Sequence, residues 1–277
     1  MNFPKFSIIL LVELFKMSTT LHEILVSMPD EIPRQIKDFY KDYPTTFYYK
    51  RVDPKDQINE NHRLAVLDIC TRISNAKNSG DVFLGALFGP MASGKGVVQC
   101  EIAKQYQGVK AFKQIIDEGR GSRYITNSNG DGCLKIEATL FTRLEEILSH
   151  VNQGDVALID EVEFSPNTPD EIASVIKSLR QTGVHAVISG LDFDFTRTPW
   201  LSTTTVLENV EHSFVLAASC ITKGCGAPAS FTQRTRPDGT PAHADDPQIQ
   251  LGSVADNYSS RCGLCHVVLP ARKGIVV

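Results

Sequence analysis

Gly89-Pro90-Met91-Ala92-Ser93-Gly94-Lys95-Gly96 follows the apolar run Val82–Phe88 and precedes the helix-like run Val97-Val98-Gln99. The spacing G-x-x-x-x-G-K between a strand and a helix is that of a phosphate-binding loop. Backbone N–H groups and a helix N-terminus surround phosphate oxygens, and Lys95 adds a point charge. The residue after the lysine, ordinarily a Ser or Thr whose hydroxyl holds Mg²⁺, is Gly96. A Gly-rich turn with no ligand is the plainer alternative. The flanking strand and helix patterns favour a site for a nucleoside triphosphate.

Outward from this loop, residues 81–218 alternate strand and helix patterns. Val82–Phe88 reads as a strand, Val97–Gln107 as a helix and Val109–Phe112 as a short strand. Residues 114–135 are polar and Gly-rich, a long loop. Leu140, Phe141, Leu144, Ile147, Leu148 and Val151 recur at helical spacing, and Asp155–Ile159 is another strand. Thr168-Pro169-Asp170-Glu171 carries three helix-start signals together: a capping hydroxyl, a proline at the first helical position and a capping-box glutamate. Gly183 closes that helix, and Val184–Ser189 is a strand. The alternation predicts an α/β fold of the P-loop NTPase type, a mostly parallel sheet with helices on both faces.

The strand Asp155–Ile159 runs into Asp160-Glu161-Val162-Glu163-Phe164. Open α/β sheets bind ligands at the carboxyl ends of their strands, and an acid there is the magnesium-side partner of a phosphate loop. Asp160 would hold Mg²⁺ directly or through water. Glu161 could take a proton from an attacking hydroxyl or water. Three solvated acids at a strand end are the bland alternative, which the phosphate loop argues against.

Of the 7 cysteines, Cys70, Cys100 and Cys133 are isolated and read as small buried hydrophobes. The other four form two pairs, Cys220/Cys225 and Cys262/Cys265, in a Gly- and Pro-rich C-terminal segment. Two thiolate pairs match tetrahedral Zn²⁺ at a closed structural site. Two disulfides are the alternative; a nucleotide-binding chain with three further free thiols points instead to a reducing, cytoplasmic setting.

A formal net charge of −4 speaks against a sequence-independent grip on nucleic acid. No apolar stretch approaches the roughly 20 residues that cross a bilayer, so no membrane partner is expected. Phe6–Val12 is a short apolar run closed by Glu13 and Lys16, with no small-residue cleavage site after it. An upstream extension or amphipathic arm fits it better than a secretion signal, and Met17 offers an ordinary start. Residues 17–80 carry no motif. His62–Ala76, with Leu64, Val66, Ile69 and Ile73, reads as a helix ending before Asn78-Ser79-Gly80. Three regions are therefore expected: an extension of unknown role at 1–80, the nucleotide-binding α/β domain at 81–218 and a zinc-binding segment at 219–277.

Taken in order, the motifs resemble those of the type II thymidine kinases. Their phosphate loop, G-P-M-x-S-G-K-S/T, is similar to Gly89–Gly96, and their D-E-x-Q-F motif to Asp160–Phe164. Their block G-L-D-x-D-F-x-x-x-P-F is similar to Gly190-Leu191-Asp192-Phe193-Asp194-Phe195-Thr196-Arg197-Thr198-Pro199-Trp200. The C-terminal segment agrees in Cys225-Gly226-Ala227-Pro228-Ala229, Thr232-Gln233-Arg234, Tyr258 and Arg261-Cys262-Gly263-Leu264-Cys265-His266. The resemblance spans residues 82–268.

It implies transfer of a phosphoryl group from ATP to the 5′-hydroxyl of thymidine, giving dTMP for nucleoside salvage. By resemblance, Gly89, Pro90, Met91, Ala92, Ser93, Gly94, Lys95 and Gly96 bind the ATP phosphates, with Asp160 on Mg²⁺ and Glu161 as general base. Phe164, Leu191, Phe195 and Tyr258 fall at nucleoside-pocket positions, and Met91 and Thr232 near the thymine methyl. The segment between the cysteine pairs would form a lasso over the base, with Leu251, Gly252 and Ser253 offering backbone partners. A homo-oligomer, a tetramer, is implied as well.

Four positions depart from the family pattern. Gly96 lacks the Mg²⁺ hydroxyl, so Gly96→Ser is expected to lower the Mg²⁺ requirement. Glu163 replaces a glutamine. The D-x-R-Y motif is expanded to Asp117-Glu118-Gly119-Arg120-Gly121-Ser122-Arg123-Tyr124, with Arg123 preferred to Arg120 for the transferring phosphate. Leu251-Gly252-Ser253 stands where a Gly-Gly pair is usual. A non-catalytic nucleotide-binding homologue is therefore the second reading. An ATP-driven DNA-remodelling protein is the third, disfavoured by the acidic balance.

Overall fold

A computed structural model describes residues 32–51, 58–115, 123–126, 135–250 and 258–272. The N-terminal run 6–12, Met17, Asp117, Arg120, Cys133 and Leu251–Ser253 lie outside the described residues. In chain order the elements are α1 (Arg34–Tyr40), β1 (Thr45–Tyr48), α2 (Glu60–Ser79), β2 (Leu84–Phe88), α3 (Lys95–Gln105), β3 (Val109–Gln114), β4 (Tyr124–Thr126), β5 (Lys135–Glu137) and β6 (Thr139–Phe141). A 3₁₀ turn at Leu144–Ser149 leads to β7 (Val156–Asp160), and another at Val162–Phe164 to α4 (Pro169–Thr182). Then follow β8 (His185–Gly190), α5 (Leu201–Asn209), β9 (His212–Leu216), β10 (Ala218–Ser219), β11 (Pro228–Ala229), β12 (Phe231–Arg234) and β13 (Tyr258–Arg261).

Seven strands form one sheet in the order β1-β9-β2-β8-β7-β3-β6, with every pairing parallel. Its central strands are near-continuous apolar runs because helices cover both faces. Leu84, Ala86 and Phe88 of β2 join Ile36 of α1, Ile172 and Ile176 of α4 and Val206 of α5 in one core. Leu87, on the opposite pleat, joins Leu64, Ile69 and Ile73 of α2 with Val98 and Ile102 of α3. The period-2 alternation of strand side chains thus splits the interior into two layers. Among the described residues, no helix is long and apolar enough to cross a membrane.

Helix α4 starts and stops as its sequence dictates. The Thr168 hydroxyl accepts from the Glu171 N–H at 3.4 Å, and the Glu171 carboxylate accepts from the Thr168 N–H at 2.8 Å. Gly183 takes the left-handed conformation at φ 77°, and the next amide, Val184 N–H, bonds the Leu179 carbonyl.

Two expectations need correction. Leu140–Val151 is not an α-helix: Thr139–Phe141 pairs with β3 as an edge strand, and Leu144–Ser149 is a 3₁₀ turn. Phe141, Leu144 and Ile147 are all buried, and their three-residue spacing suits three residues per turn as well as an α-helical face. The second correction concerns residue 80, which is not a structural boundary. β1 pairs with β9 in register Thr45↔Ser213 through Tyr48↔Leu216, and α2 packs on the central strands. The described residues before 80 therefore belong to the α/β body. Short β-runs such as Thr45–Tyr48 carry too few residues to be told from loop by periodicity.

Candidate nucleotide and nucleoside site

The loop between β2 and α3 has the conformation its glycines permit. Gly89 lies at φ 145° and Gly94 at φ 87°, where side chains are disfavoured. A Cβ on Gly89 would collide with the Leu216 carbonyl, so β9 and the loop approach too closely for any other residue. The Lys95 Nζ donates to the carbonyls of Gly89 and Pro90, both at 2.9 Å, and lies 3.5 Å from Ser93 Oγ. Burial lowers the lysine pKa, while Glu163, Asp192, Asp160 and Glu161 act in the opposite direction. A bound phosphate would offer the Lys95 ammonium a charged acceptor in place of the loop carbonyls, and the neighbouring acids would then need a cation beside that phosphate.

Those acids arrive from the carboxyl ends of adjacent strands. Asp160 ends β7, and its Oδ1 accepts from Ser189 Oγ of β8 at 2.5 Å. Glu161 follows at φ 63°, and its Oε1 is 3.4 Å from Lys113 Nζ of β3. Burial, then Asp160, raises its pKa to about 7, against the pull of Lys113. Glu163 is buried, and burial followed by Glu161 raises its pKa to about 8. A side chain on Gly190 would strike its carboxylate. Asp192 accepts from Tyr40 OH at 3.3 Å and from the Phe193 N–H at 3.1 Å, and burial lifts its pKa to about 6. Glu161 Oε2 and Glu163 Oε2 are buried with no hydrogen-bond partner among the described residues. Carboxylate oxygens are the donor type that Mg²⁺ takes, and that ion needs only one or two protein ligands when water and phosphate complete its shell, so Asp160 at the end of β7 is compatible with it.

Gly96 is explained by its neighbour. It lies in the first turn of α3, and a Cβ there would collide with the Thr126 carbonyl of β4. The space that a Ser or Thr side chain would need is filled by main chain. A serine at this position, expected from sequence to lower the Mg²⁺ requirement, would first have to displace the Thr126 carbonyl.

The C-terminal segment reaches the loop directly. The Met91 N–H donates to Thr232 Oγ1 of β12 at 3.0 Å, bringing together two positions that sequence resemblance placed near the same methyl group. Phe195 is buried under the Arg234 guanidinium, 4.9 Å from its ring centroid, and Arg234 pairs in register with Tyr258. Arg234 also bonds the Pro247 carbonyl and Gln250, while Gln248 Nε2 donates to Asp194 Oδ2 at 3.0 Å. Leu191 is half-buried, its carbonyl accepting from Thr203 Oγ1 at 2.7 Å. Phe164 packs edge-on to Trp200 at 5.7 Å. Arg123 is not drawn into this group: its side chain is 72% exposed and lies 3.9 Å from Glu137.

The Sγ atoms of Cys220, Cys225, Cys262 and Cys265 all lie within 4.8 Å of one another. Cys225 and Cys262 are 3.8 Å apart, far beyond a disulfide bond of about 2.05 Å. A tetrahedron with Zn–S of about 2.3 Å has edges of about 3.8 Å, so the cluster fits zinc. Tight turns present the thiols, with Cys225 N–H bonded to the Thr222 carbonyl and Cys265 N–H to the Cys262 carbonyl. Burial would raise the Cys220 thiol, but donors from Cys262, Thr222 and Cys225 outweigh it and bring it to about 6. His266, next to Cys265, bonds the Thr232 carbonyl at 3.1 Å and accepts from Arg197 Nε at 3.1 Å. The cysteine cluster is thereby linked through Thr232 to the phosphate loop.

Sequence reading did not single out Lys113, Ser189, Tyr40, Asp192 or Arg234. The last two stand inside quoted motifs, but only the fold shows what they touch.

A protein-family model described as Thymidine kinase matches residues 83–266. Among solved structures, the RuvB Holliday junction branch migration motor of Thermotoga maritima is similar at 17% identity and a TM-score of 0.37. That alignment covers 58% of this chain and 46% of the other. A single-residue variant of the same RuvB gives 15% identity and a TM-score of 0.34, covering 61% of this chain and 49% of the other. The chain thus spans about half the length of these solved structures.

Proposed function

The chain belongs to the thymidine kinase family, and from that premise we propose that it transfers the γ-phosphate of ATP to the 5′-hydroxyl of thymidine. The observation that carries this reading is the gathering of Lys95, Asp160, Glu161 and Asp192 at the loop that Thr232 bridges. In the proposed step the thymidine 5′-oxygen forms a bond to the γ-phosphorus as the bond to the β–γ bridging oxygen breaks. ADP leaves, and the hydroxyl proton passes to a carboxylate oxygen of Glu161. Lys95 and the loop amides orient the phosphates and hold their charge. Asp160 would hold Mg²⁺, which when bound supplies charge neutralisation on the β- and γ-oxygens.

Phe195 and Tyr258, tied together through Arg234, would bound the nucleoside. Met91, Thr232, Leu191 and Phe164 would line it further, and the four cysteines would hold a structural Zn²⁺. Arg123 would serve the transferring phosphate only after leaving Glu137. Leu251–Ser253 as partners of the base, a homo-oligomeric state and a cytoplasmic setting belong to the same reading.

The test is turnover of thymidine with Mg-ATP, compared with deoxycytidine and a purine deoxynucleoside. Formation of dTMP supports the reading, and ATP binding without any nucleoside phosphorylation overturns it. Gly96 favours a second reading, a nucleotide-binding homologue without turnover, because the hydroxyl that usually meets Mg²⁺ has been replaced by packing against Thr126. The same experiment separates the two.

A further inference from the structure

His62 stands outside the family match, at the start of α2, yet it is built into the back of the phosphate loop. It is the third residue of the helix, and Asn59 is its cap: Asn59 Oδ1 accepts from the His62 N–H at 3.1 Å. The Asn59 N–H in turn points at His62 Nδ1, 3.3 Å away. A backbone N–H only donates, so Nδ1 is an acceptor. The other ring nitrogen, Nε2, lies 3.0 Å from the Ser93 carbonyl oxygen, which only accepts. The neutral ring with its proton on Nε2 satisfies both contacts. Asn59 Nδ2, a donor 3.4 Å from the same Nε2, is the longer approach, and the 3.0 Å contact to the Ser93 carbonyl is the one that tautomer makes. Burial, the largest influence on this ring, lowers its pKa and favours that neutral form.

The contact fixes more than one carbonyl. In a planar trans peptide the C=O and N–H point in opposite directions. Holding the Ser93 carbonyl toward α2 therefore aims the Gly94 N–H away from it. Ser93 is itself buried, and a Cβ on Gly94 would collide with the imidazole. The ring thus occupies the space beside Gly94 as well as setting the peptide before it.

We propose that His62 is a positioning residue for nucleotide binding, pre-setting the Ser93–Gly94 peptide of the phosphate loop through its Nε2–H. The segment before residue 80 then contributes to the nucleotide site, although it carries none of the site's motifs. This inference rests on the reading of Gly89–Gly96 as a phosphate loop. It does not require that thymidine be the acceptor.

The full chain is titrated with Mg-ATP by calorimetry in four forms: native, His62→Leu, His62→Gln and Ile73→Val. Leucine fills the space without a donor and is expected to weaken ATP binding about ten-fold, the scale of one hydrogen bond. Glutamine, the usual third-position partner in a capping box, can accept from Asn59 and donate to Ser93. It is expected to bind within about two-fold of the native chain. Ile73→Val trims the buried far end of α2 and is expected to lower the melting temperature while leaving ATP affinity unchanged. In turnover, the Leu variant should raise the KM for ATP with little change in kcat. If His62→Leu does not fold, His62→Asn, too short to reach Ser93, takes its place.

Native-like ATP affinity in the Leu variant overturns the proposal, as does a Gln variant as weak as Leu. A native chain that binds no ATP would reject the phosphate-loop reading itself, and this inference with it. Binding without turnover would reject only the proposed reaction.

Discussion

The Met91 amide donates to Thr232 Oγ1 across 3.0 Å, so the phosphate loop and the strand behind the cysteine cluster share a hydrogen bond. His266 holds the other side of Thr232 through its carbonyl. Thr232→Val keeps the shape and removes the acceptor, leaving the Met91 N–H without this partner. The expected loss is about 1 kcal/mol, seen as a fall of about 2–4 °C in Tm, with a raised KM for thymidine. An unchanged KM would show that this bond does not shape the nucleoside site.

Glu161→Gln should reduce kcat by about 10²–10⁴-fold while ATP still binds, since glutamine keeps the shape but cannot take the proton. Single-turnover kinetics with thymidine, beside ATP calorimetry, give both quantities. Near-native turnover would remove Glu161 from the proton-transfer role.

Glu163 gives the pH prediction. Burial raises its folded pKa to about 8, so between about pH 4.5 and pH 8 the folded chain retains a proton that the unfolded chain releases. Stability from this group is therefore highest at low pH and declines as pH rises through that window. Glu163→Gln removes the titration and should stabilise the chain at pH 8 by more than about 1.4 kcal/mol, the equivalent of one pKa unit. At pH 4.5 the difference should be small. Thermal melts at the two pH values check it, and an equal shift at both would contradict the assignment.

The cysteine cluster should hold one Zn²⁺ per chain, measured by elemental analysis. Its removal by a chelator is expected to lower the Tm and raise the KM for thymidine, because His266 links the cluster to Thr232. Cys262→Ser should reproduce both effects. Protein purified without chelator and free of zinc would exclude this metal.

Gly96→Ser should destabilise rather than repair the site. The added Cβ meets the Thr126 carbonyl, and overpacking of this kind costs about 1–3 kcal/mol. A melt alongside a Mg²⁺ titration of the rate tests it. An unchanged Tm with a lower half-saturating Mg²⁺ would restore the simpler idea that only a hydroxyl is missing.

Local chemistry determined much of this chain. Gly89–Lys95 fixed a strand, a tight turn and a helix start because the turn needs glycine φ values and the lysine must follow the second glycine. Thr168, Glu171 and Gly183 set both ends of α4 through bonds within a few residues. The cysteine pairs announced a cluster because thiol spacing is a property of the chain. Other features depend on residues far apart in sequence. β1 becomes a strand only because β9 offers it an edge, and Phe141 lies in a strand beside β3 instead of sharing an α-helical face with Leu144 and Ile147. The fit of Gly96 to Thr126, of His62 to Ser93 and of Arg234 to Phe195 exists only once the sheet has brought these segments together. Sequence periodicity reports which face a residue presents, and tertiary packing alone decides what that face meets.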